Sequence, residues 1–260
     1  MLERQKTALI TGASNGIGKD FAGLFAKDGY QLVLVARSAD KLEQIAQELK
    51  EQYQTEVLVI VQDLSLPDGA KQVYAKLKED HIQIDVLVNN AGFGRVGDFA
   101  NEDVEVMTEM INLNITSLTE LTALVLPEML ERNSGKILNV ASTAAFQALP
   151  TFSVYAATKA YVLSLTEALH YELKDTNIAV TALCPGPTST GFAKRANAEA
   201  LTLFKNVMSS QEVAQAGYDA LMKNKMTLIT GFTNKLLAFF THIIPSRRLL
   251  ISIVGRIAKL

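Results

Sequence analysis

Tyr155 and Lys159 are the residues whose types and spacing could do chemistry in this chain. They lie in the stretch Ser153-Val-Tyr-Ala-Ala-Thr-Lys159, and a spacing of four on a helix puts both side chains on one face, a turn apart. An ammonium beside a phenol stabilises the phenolate, so the pair predicts a Tyr155 pKa that falls from about 10 toward the working pH. A phenol tuned that way can give a proton to a carbonyl oxygen or take one from an alcohol. The surrounding residues read as a helix. Ser153 is its expected cap, Ala156, Ala157 and Ala160 are strong formers, and Val162, Leu163, Leu165 and Leu169 continue it as an apolar series. Pairs of this kind also occur on helix surfaces with no chemical role, so the reading depends on what else the chain holds.

The elements that must position the pair follow from hydrophobic patterning. Short apolar runs at 7–11, 31–36, 57–61, 85–88, 136–141, 178–183 and 227–230 read as strands. Between them lie longer amphipathic stretches: 17–27, 40–52 with an inner stripe of Leu42, Ile45, Ala46 and Leu49, 67–79 opening on Pro67, 111–130, and the Tyr155 segment. Two further helical patches precede the last strand. Strands apolar on both faces and alternating with helices indicate an α/β fold. Its parallel sheet of about seven strands is doubly wound, with helices on both faces, in a single domain.

The first strand-to-helix turn is Thr11-Gly-Ala-Ser-Asn-Gly-Ile-Gly18. Gly12, Gly16 and Gly18, with Ser14, Asn15 and Ile17 between them, would let the backbone approach a pyrophosphate held at the helix N-terminus. A glycine-rich connector with no ligand is the plain alternative. At the end of the second strand stand Ala36, Arg37 and Ser38, with no acid before Asp40. An acid there would hold a ribose diol, whereas a guanidinium matches a 2′-phosphate, so Arg37 points to NADP(H) over NAD(H). A solvated loop cation is the competing reading.

These residues, together with Asn89-Asn-Ala-Gly92, Ser142 and Pro185-Gly186, resemble the short-chain dehydrogenases/reductases. The motifs stand in that family's order over roughly residues 5 to 230, and look like its compact branch, near the bacterial ketoacyl and hydroxysteroid reductases. The resemblance implies a Rossmann-type catalytic domain over 1–231 that interconverts a ketone or aldehyde and its alcohol. It implies that Ser142 holds the substrate oxygen, Tyr155 exchanges the proton, and Lys159 tunes the phenol and contacts the nicotinamide ribose. Asn114, with Asn112 as its competitor, is expected to hold a water in a proton relay. Asp63 and Leu64 are expected at the adenine, Asn90, Ala91 and Gly92 along its ribose, and Pro185, Gly186, Thr188 and Thr190 at the nicotinamide carboxamide. Alternatives stay open: Asp63 as a helix cap, Ser142 as a turn serine, and Asn114 or Asn112 as a helix-bending polar residue. The resemblance also implies a substrate lid near 190–210, whose Phe192, Leu201, Leu203, Phe204 and Met208 would favour an apolar substrate. The family also implies a homodimer or homotetramer through the long helices.

Composition bounds the rest. A net charge of -2 gives no sign of a nucleic-acid partner. The single Cys184 excludes an internal disulfide and fits a reducing compartment. His81, His170 and His242 show no ligand spacing, so no metal is expected. With no leader-like start and no long apolar run, the expected location is cytoplasmic. Residues 232–260 form an extension of two apolar helical segments, with Lys235, Arg247, Arg248, Arg256 and Lys259 and no carboxylate. Ser246 is the expected cap of the second. The extension could roof the pocket, contact another subunit, or lie on an anionic membrane surface. Three rivals to an NADP(H)-dependent oxidoreductase remain: an NAD-preferring dehydrogenase, a nucleotide sensor on the same fold, and a membrane-surface protein.

Overall fold

The strand runs are short, rich in Val, Leu and Ile, and bounded by Gly, Asn and Ser, which suits strands buried on both faces. A computed structural model describes residues 4–198, 207–244 and 246–258. In chain order it contains β1 Thr7–Thr11, α1 Gly16–Lys27, β2 Gln31–Ala36, α2 Ala39–Tyr53, β3 Val57–Val61, α3 Gly69–Glu79 and β4 Val86–Asn89. There follow α4 Val104–Ile111, α5 Ser117–Glu131, β5 Gly135–Val140, α6 Ser153–Glu172 and β6 Ile178–Cys184. The chain continues through β7 Thr188–Ser189, α7 Phe192–Arg195, β8 Met208–Ser209, α8 Ser210–Met222, β9 Thr227–Ile229, α9 Phe232–Ile243 and α10 Arg247–Ala258.

Seven strands form one parallel sheet in the order β3-β2-β1-β4-β5-β6-β9. Alternation along each strand feeds two cores. Leu9, Val33, Leu87, Ile137 and Val180 pack under α3, α5 and α6, while Ala8, Ile10, Leu32, Leu34, Val86, Val88 and Leu138 pack under α1, α2 and α8. The order reverses where β1 sits between β2 and β4, so the loops leaving these strands part and open a crevice at their carboxyl ends. The expected α/β doubly wound sheet is present, with element ends shifted by a few residues.

Three local expectations change. Thr151 has φ +65°, which turns the chain so that Phe152, not Ser153, occupies the cap position of α6. Asp68, with φ +61°, starts α3 at Gly69 instead of Pro67. The single helix expected over 111–130 begins earlier, at Val104, and carries one π-helical turn, Asn112–Thr116, between α4 and α5. The extra residue in that turn re-aims Asn114 into the protein, and such turns gather at functional sites. Ser246 does receive the Leu249 N–H at 3.3 Å, as a cap for α10. Leu201, Leu203 and Phe204, expected in the lid, lie outside the described residues.

Candidate active site

The loops leaving β1 to β6 at the carboxyl edge contribute to one cleft of about 480 Å³. Gly12, Ser14, Asn15, Gly16 and Ile17 line it after β1, Arg37 after β2, Asp63 and Leu64 after β3, and Asn90, Ala91 and Gly92 after β4. Ser142, Tyr155, Lys159, Pro185, Gly186, Thr188 and Thr190 complete its other end. The sequence-predicted residues therefore meet in one place, apart from Gly18 and Asn114, which stand just behind the wall.

The glycine turn is held from beneath. Asn90 Nδ2 donates to the Thr11 and Gly12 carbonyls at 2.9 and 3.2 Å, and Thr11 Oγ1 accepts from the N–H groups of Asn90 and Ala91 at 3.0 Å each. Gly12 has φ +66°, and a Cβ on it would meet Asn90 Nδ2 at 2.8 Å and Ala91 Cα at 2.9 Å. A Cβ on Gly18 would lie 2.4 Å from the Gly12 carbonyl oxygen. These contacts leave no room for side chains and keep the α1 N-terminus at the cleft. Asn15, at its N-cap, makes no side-chain cap bond, so the first N–H groups are left for a ligand.

At the β2 and β3 ends, Arg37 is half exposed and donates to Asp63 Oδ2 at 3.3 Å. Asp63 Oδ1 accepts from the Ser65 N–H at 2.9 Å and the Ser65 hydroxyl at 2.7 Å. Burial would raise the Asp63 pKa, but the Ser65 bonds and the Arg37 charge outweigh it and hold the carboxyl below its ordinary value.

At the other end the Tyr155 ring lies 4.5 Å from Phe152 and 5.3 Å from Phe192, centroid to centroid. Lys159 is buried and its Nζ donates to the Val140 carbonyl at 2.7 Å. The expected lowering of the phenol pKa is corrected here: Tyr155 is pushed up to about 12. The physical reason is burial, which disfavours the phenolate; a bond with Ser142 opposes it only in part. Lys159 Nζ stands 5.9 Å from the Tyr155 ring centroid, and its bond goes to a carbonyl. Burial also lowers Lys159 to about 8. Ser142 Oγ accepts from the Ala144 N–H at 3.1 Å, capping the turn Thr143–Phe146 beside the phenol.

Asn114 is buried and fully engaged. Its Oδ1 accepts from Phe93 N at 3.1 Å, and its Nδ2 donates to Phe93 O at 2.9 Å and Thr158 Oγ1 at 3.0 Å. A Cβ on Gly92 would lie 3.0 Å from Asn114 Oδ1 and 3.4 Å from Lys159 Nζ, so the two converge behind this glycine.

Sequence reasoning missed several residues. Gly94 has no side chain because a Cβ there would meet Phe152 and Tyr155 at 2.8 to 2.9 Å. Arg195, on α7, lines the same cleft and stacks its guanidinium 4.4 Å from the Phe93 ring centroid. Gly94 follows the Asn-Asn-Ala-Gly motif closely enough to have been noticed; no sequence signal marked Arg195. Among the described residues, no group of His, Cys, Asp or Glu could hold a metal.

Residues 6–201 match the short chain dehydrogenase family. The chain belongs to that family. It is 38% identical over 197 residues to the very-long-chain 3-oxoacyl-CoA reductase of Macaca fascicularis, a match covering 72% of this chain and 61% of that protein. The chain thus spans less than two thirds of the length of that relative. An uncharacterized oxidoreductase of Staphylococcus saprophyticus is 36% identical over 191 residues, covering 73% of this chain and 82% of the relative. Among solved structures, a short-chain dehydrogenase from Sphingobium yanoikuyae in complex with NADPH superposes with a TM-score of 0.83 and 34% identity, covering 95% of both chains. A bulky-bulky ketone specific alcohol dehydrogenase from Comamonas testosteroni gives 0.80 and 31%, covering 96% of this chain and 95% of the other. The chain has the nucleotide-binding Rossmann fold of that family, a fold that binds a nicotinamide cofactor. The side-chain-free cradle at Gly12 and Gly18 and the uncapped α1 N-terminus fit the pyrophosphate of such a cofactor.

Proposed function

We propose that this protein is an NADP(H)-dependent carbonyl reductase acting reversibly on an apolar ketone or aldehyde. The observation that carries it is the placement of Ser142, Tyr155 and Lys159 at one end of a cleft whose other end holds Arg37. Bound NADPH supplies hydride to the carbonyl carbon. Ser142 holds the carbonyl oxygen beside the phenol, and Tyr155 gives that oxygen its proton as the C–O bond becomes an alcohol. Burial keeps Tyr155 protonated, which suits a proton donor in the reductive direction. Lys159, already near its own titration point, stabilises the phenolate that remains. Asn114 Oδ1 and Lys159 Nζ converge behind Gly92, which supports assigning Asn114 to a relay that returns the proton.

Gly12 to Gly18 would hold the pyrophosphate, Asp63 and Leu64 the adenine, and Asn90, Ala91 and Gly92 its ribose. Pro185, Gly186, Thr188 and Thr190 would hold the carboxamide. Preference for NADP(H) rests on Arg37, half exposed and, among the described residues, tethered only to Asp63, so its guanidinium can turn to a 2′-phosphate. The solved relative bound to NADPH supports that preference. Phe152, Phe192 and Leu149 make the substrate end apolar. We assign residues 1–231 to the catalytic domain, 232–260 to an accessory extension with peripheral membrane contact, and the protein to the cytoplasm. A homodimer or homotetramer through α5 and α6 is supported by exposed Leu130, Tyr161 and Tyr171 on those helices, since family members commonly assemble.

The test is turnover of NADPH, and separately NADH, with a panel of bulky apolar ketones. Tyr155→Phe should lower kcat by about 100- to 10,000-fold with NADPH affinity kept. Arg37→Asp should weaken NADPH binding far more than NADH binding; equal losses would overturn the cofactor assignment. Undiminished turnover by Tyr155→Phe would overturn the mechanism.

A further inference from the structure

Helix α9 is amphipathic in the wrong sense for packing on its own protein. Phe232, Leu236, Phe239, Phe240 and Ile243 repeat at helical spacing on one face, and all are exposed, from 43% to 82%. The opposite stripe, Asn234, Ala238 and Thr241, faces the body, and Ala238 is the one buried residue among the described side chains of α9 and α10. Leu249, Ile251 and Ile253 of α10 are exposed as well. Nine of the eighteen exposed large hydrophobic residues among those described lie on these two helices. An exposed apolar stripe like that of α9 marks an interaction surface.

Charge says what covers it. The chain carries 25 Lys and Arg against 27 Asp and Glu; seven of those cations and no acid follow Asp219, leaving 18 against 27 in the rest. Arg247, Arg248 and Arg256 are exposed on α10 and Lys235 on α9, and among the described residues none has an ion-pair partner. A second copy paired face to face through the same helices would set like charge against like charge. A polyanion without lipid would leave the apolar stripe in water. Among the described residues no helix is long and apolar enough to cross a membrane, so the fitting geometry is in the plane of the bilayer surface.

The two helices also flank the substrate end of the cleft. Asn234 packs on Gly186, where a Cβ would meet it at 2.2 Å, and α9 lies on the Thr143–Phe146 turn. Gly255 of α10 sits 3.3 Å, from an added Cβ, to Pro150, between the cleft residues Leu149 and Phe152.

We propose that α9 and α10 dock on an anionic lipid bilayer and turn the mouth of the cleft toward it, so that apolar substrate enters from the lipid. The docking stands on the surface alone; the delivery of substrate rests on the carbonyl-reductase reading. The test is sedimentation of the full chain with vesicles of phosphatidylcholine alone or mixed with phosphatidylserine. Wild type should pellet with the mixed vesicles, less so at high salt, and stay in solution with phosphatidylcholine. Arg247→Gln with Arg248→Gln should weaken partitioning about thirtyfold, from ~1 kcal/mol per cation at such a surface. Phe239→Ser with Phe240→Ser should abolish it. Both double variants should keep wild-type turnover of a water-soluble carbonyl substrate, which shows that they fold. No pelleting with mixed vesicles, or equal pelleting with both compositions, overturns the proposal. So does a wild-type dimer in solution that the phenylalanine variant dissociates, because a second copy is then the occupant. Vesicle binding without any carbonyl turnover would count against the carbonyl-reductase reading and leave the docking intact.

Discussion

Replacing Asn114 by Ala should destabilise the protein by about 2–6 kcal/mol, before any effect on turnover is considered. The amide holds both backbone groups of Phe93, at 3.1 and 2.9 Å, in a site that is 1% exposed. Alanine leaves that buried N–H and C=O without partners, at about 1–3 kcal/mol each. Thr158 loses one bond at 3.0 Å but keeps its own to the Tyr155 carbonyl at 2.7 Å, so it adds little. Asn112, two residues earlier on the same π-helical turn, is only half-buried, and Asn112→Ala should stay within about 0.5 kcal/mol of wild type. Urea unfolding of the two variants, read by circular dichroism and fitted with a common slope, measures the difference. Because Phe93 follows the Gly92 wall of the cleft, Asn114→Ala should also weaken NADPH binding. A loss below about 1 kcal/mol, or equal losses for the two asparagines, would refute the structural argument. Lost turnover at full stability would leave the relay as the residue's whole role.

Two further outcomes test the cradle and the buried lysine. Gly18→Ala should cost about 1–3 kcal/mol in stability through overpacking, because its Cβ would lie 2.4 Å from the Gly12 oxygen. Gly23→Ala, in the same helix with nothing within 4 Å, should instead stabilise by about 0.5–1 kcal/mol, and urea midpoints compare the two. Lys159 binds its proton more weakly folded, at about 8, than unfolded, near 10.5. Between those values the unfolded chain holds the extra proton, so folding stability rises with pH. The stability of wild type relative to Lys159→Met should therefore increase from about pH 8 to pH 10 in parallel denaturation curves, and a flat difference would reject the buried, depressed lysine.

Local pattern was sufficient for much of this protein. Runs such as Leu32-Val-Leu-Val35 can satisfy both faces only inside a parallel sheet, so the order of strands and helices is written in hydrophobic periodicity. Gly12 and Gly18 announce a close backbone approach because their absent side chains are themselves the signal. What tertiary structure decided are the terms that depend on neighbours far along the chain. Lys159 turns to Val140, nineteen residues away on another element, and burial dominates at Tyr155, so the phenol pKa moves opposite to the expectation from spacing alone. Arg195 reaches the cleft, and Gly94 packs against Tyr155, only because the fold brings their segments to one edge. The apolar stripe of α9 is plain in the sequence, but its outward orientation is not: Asn234, Ala238 and Thr241 take the inner side. Periodicity shows that a helix has two faces; the rest of the fold determines which one meets the protein.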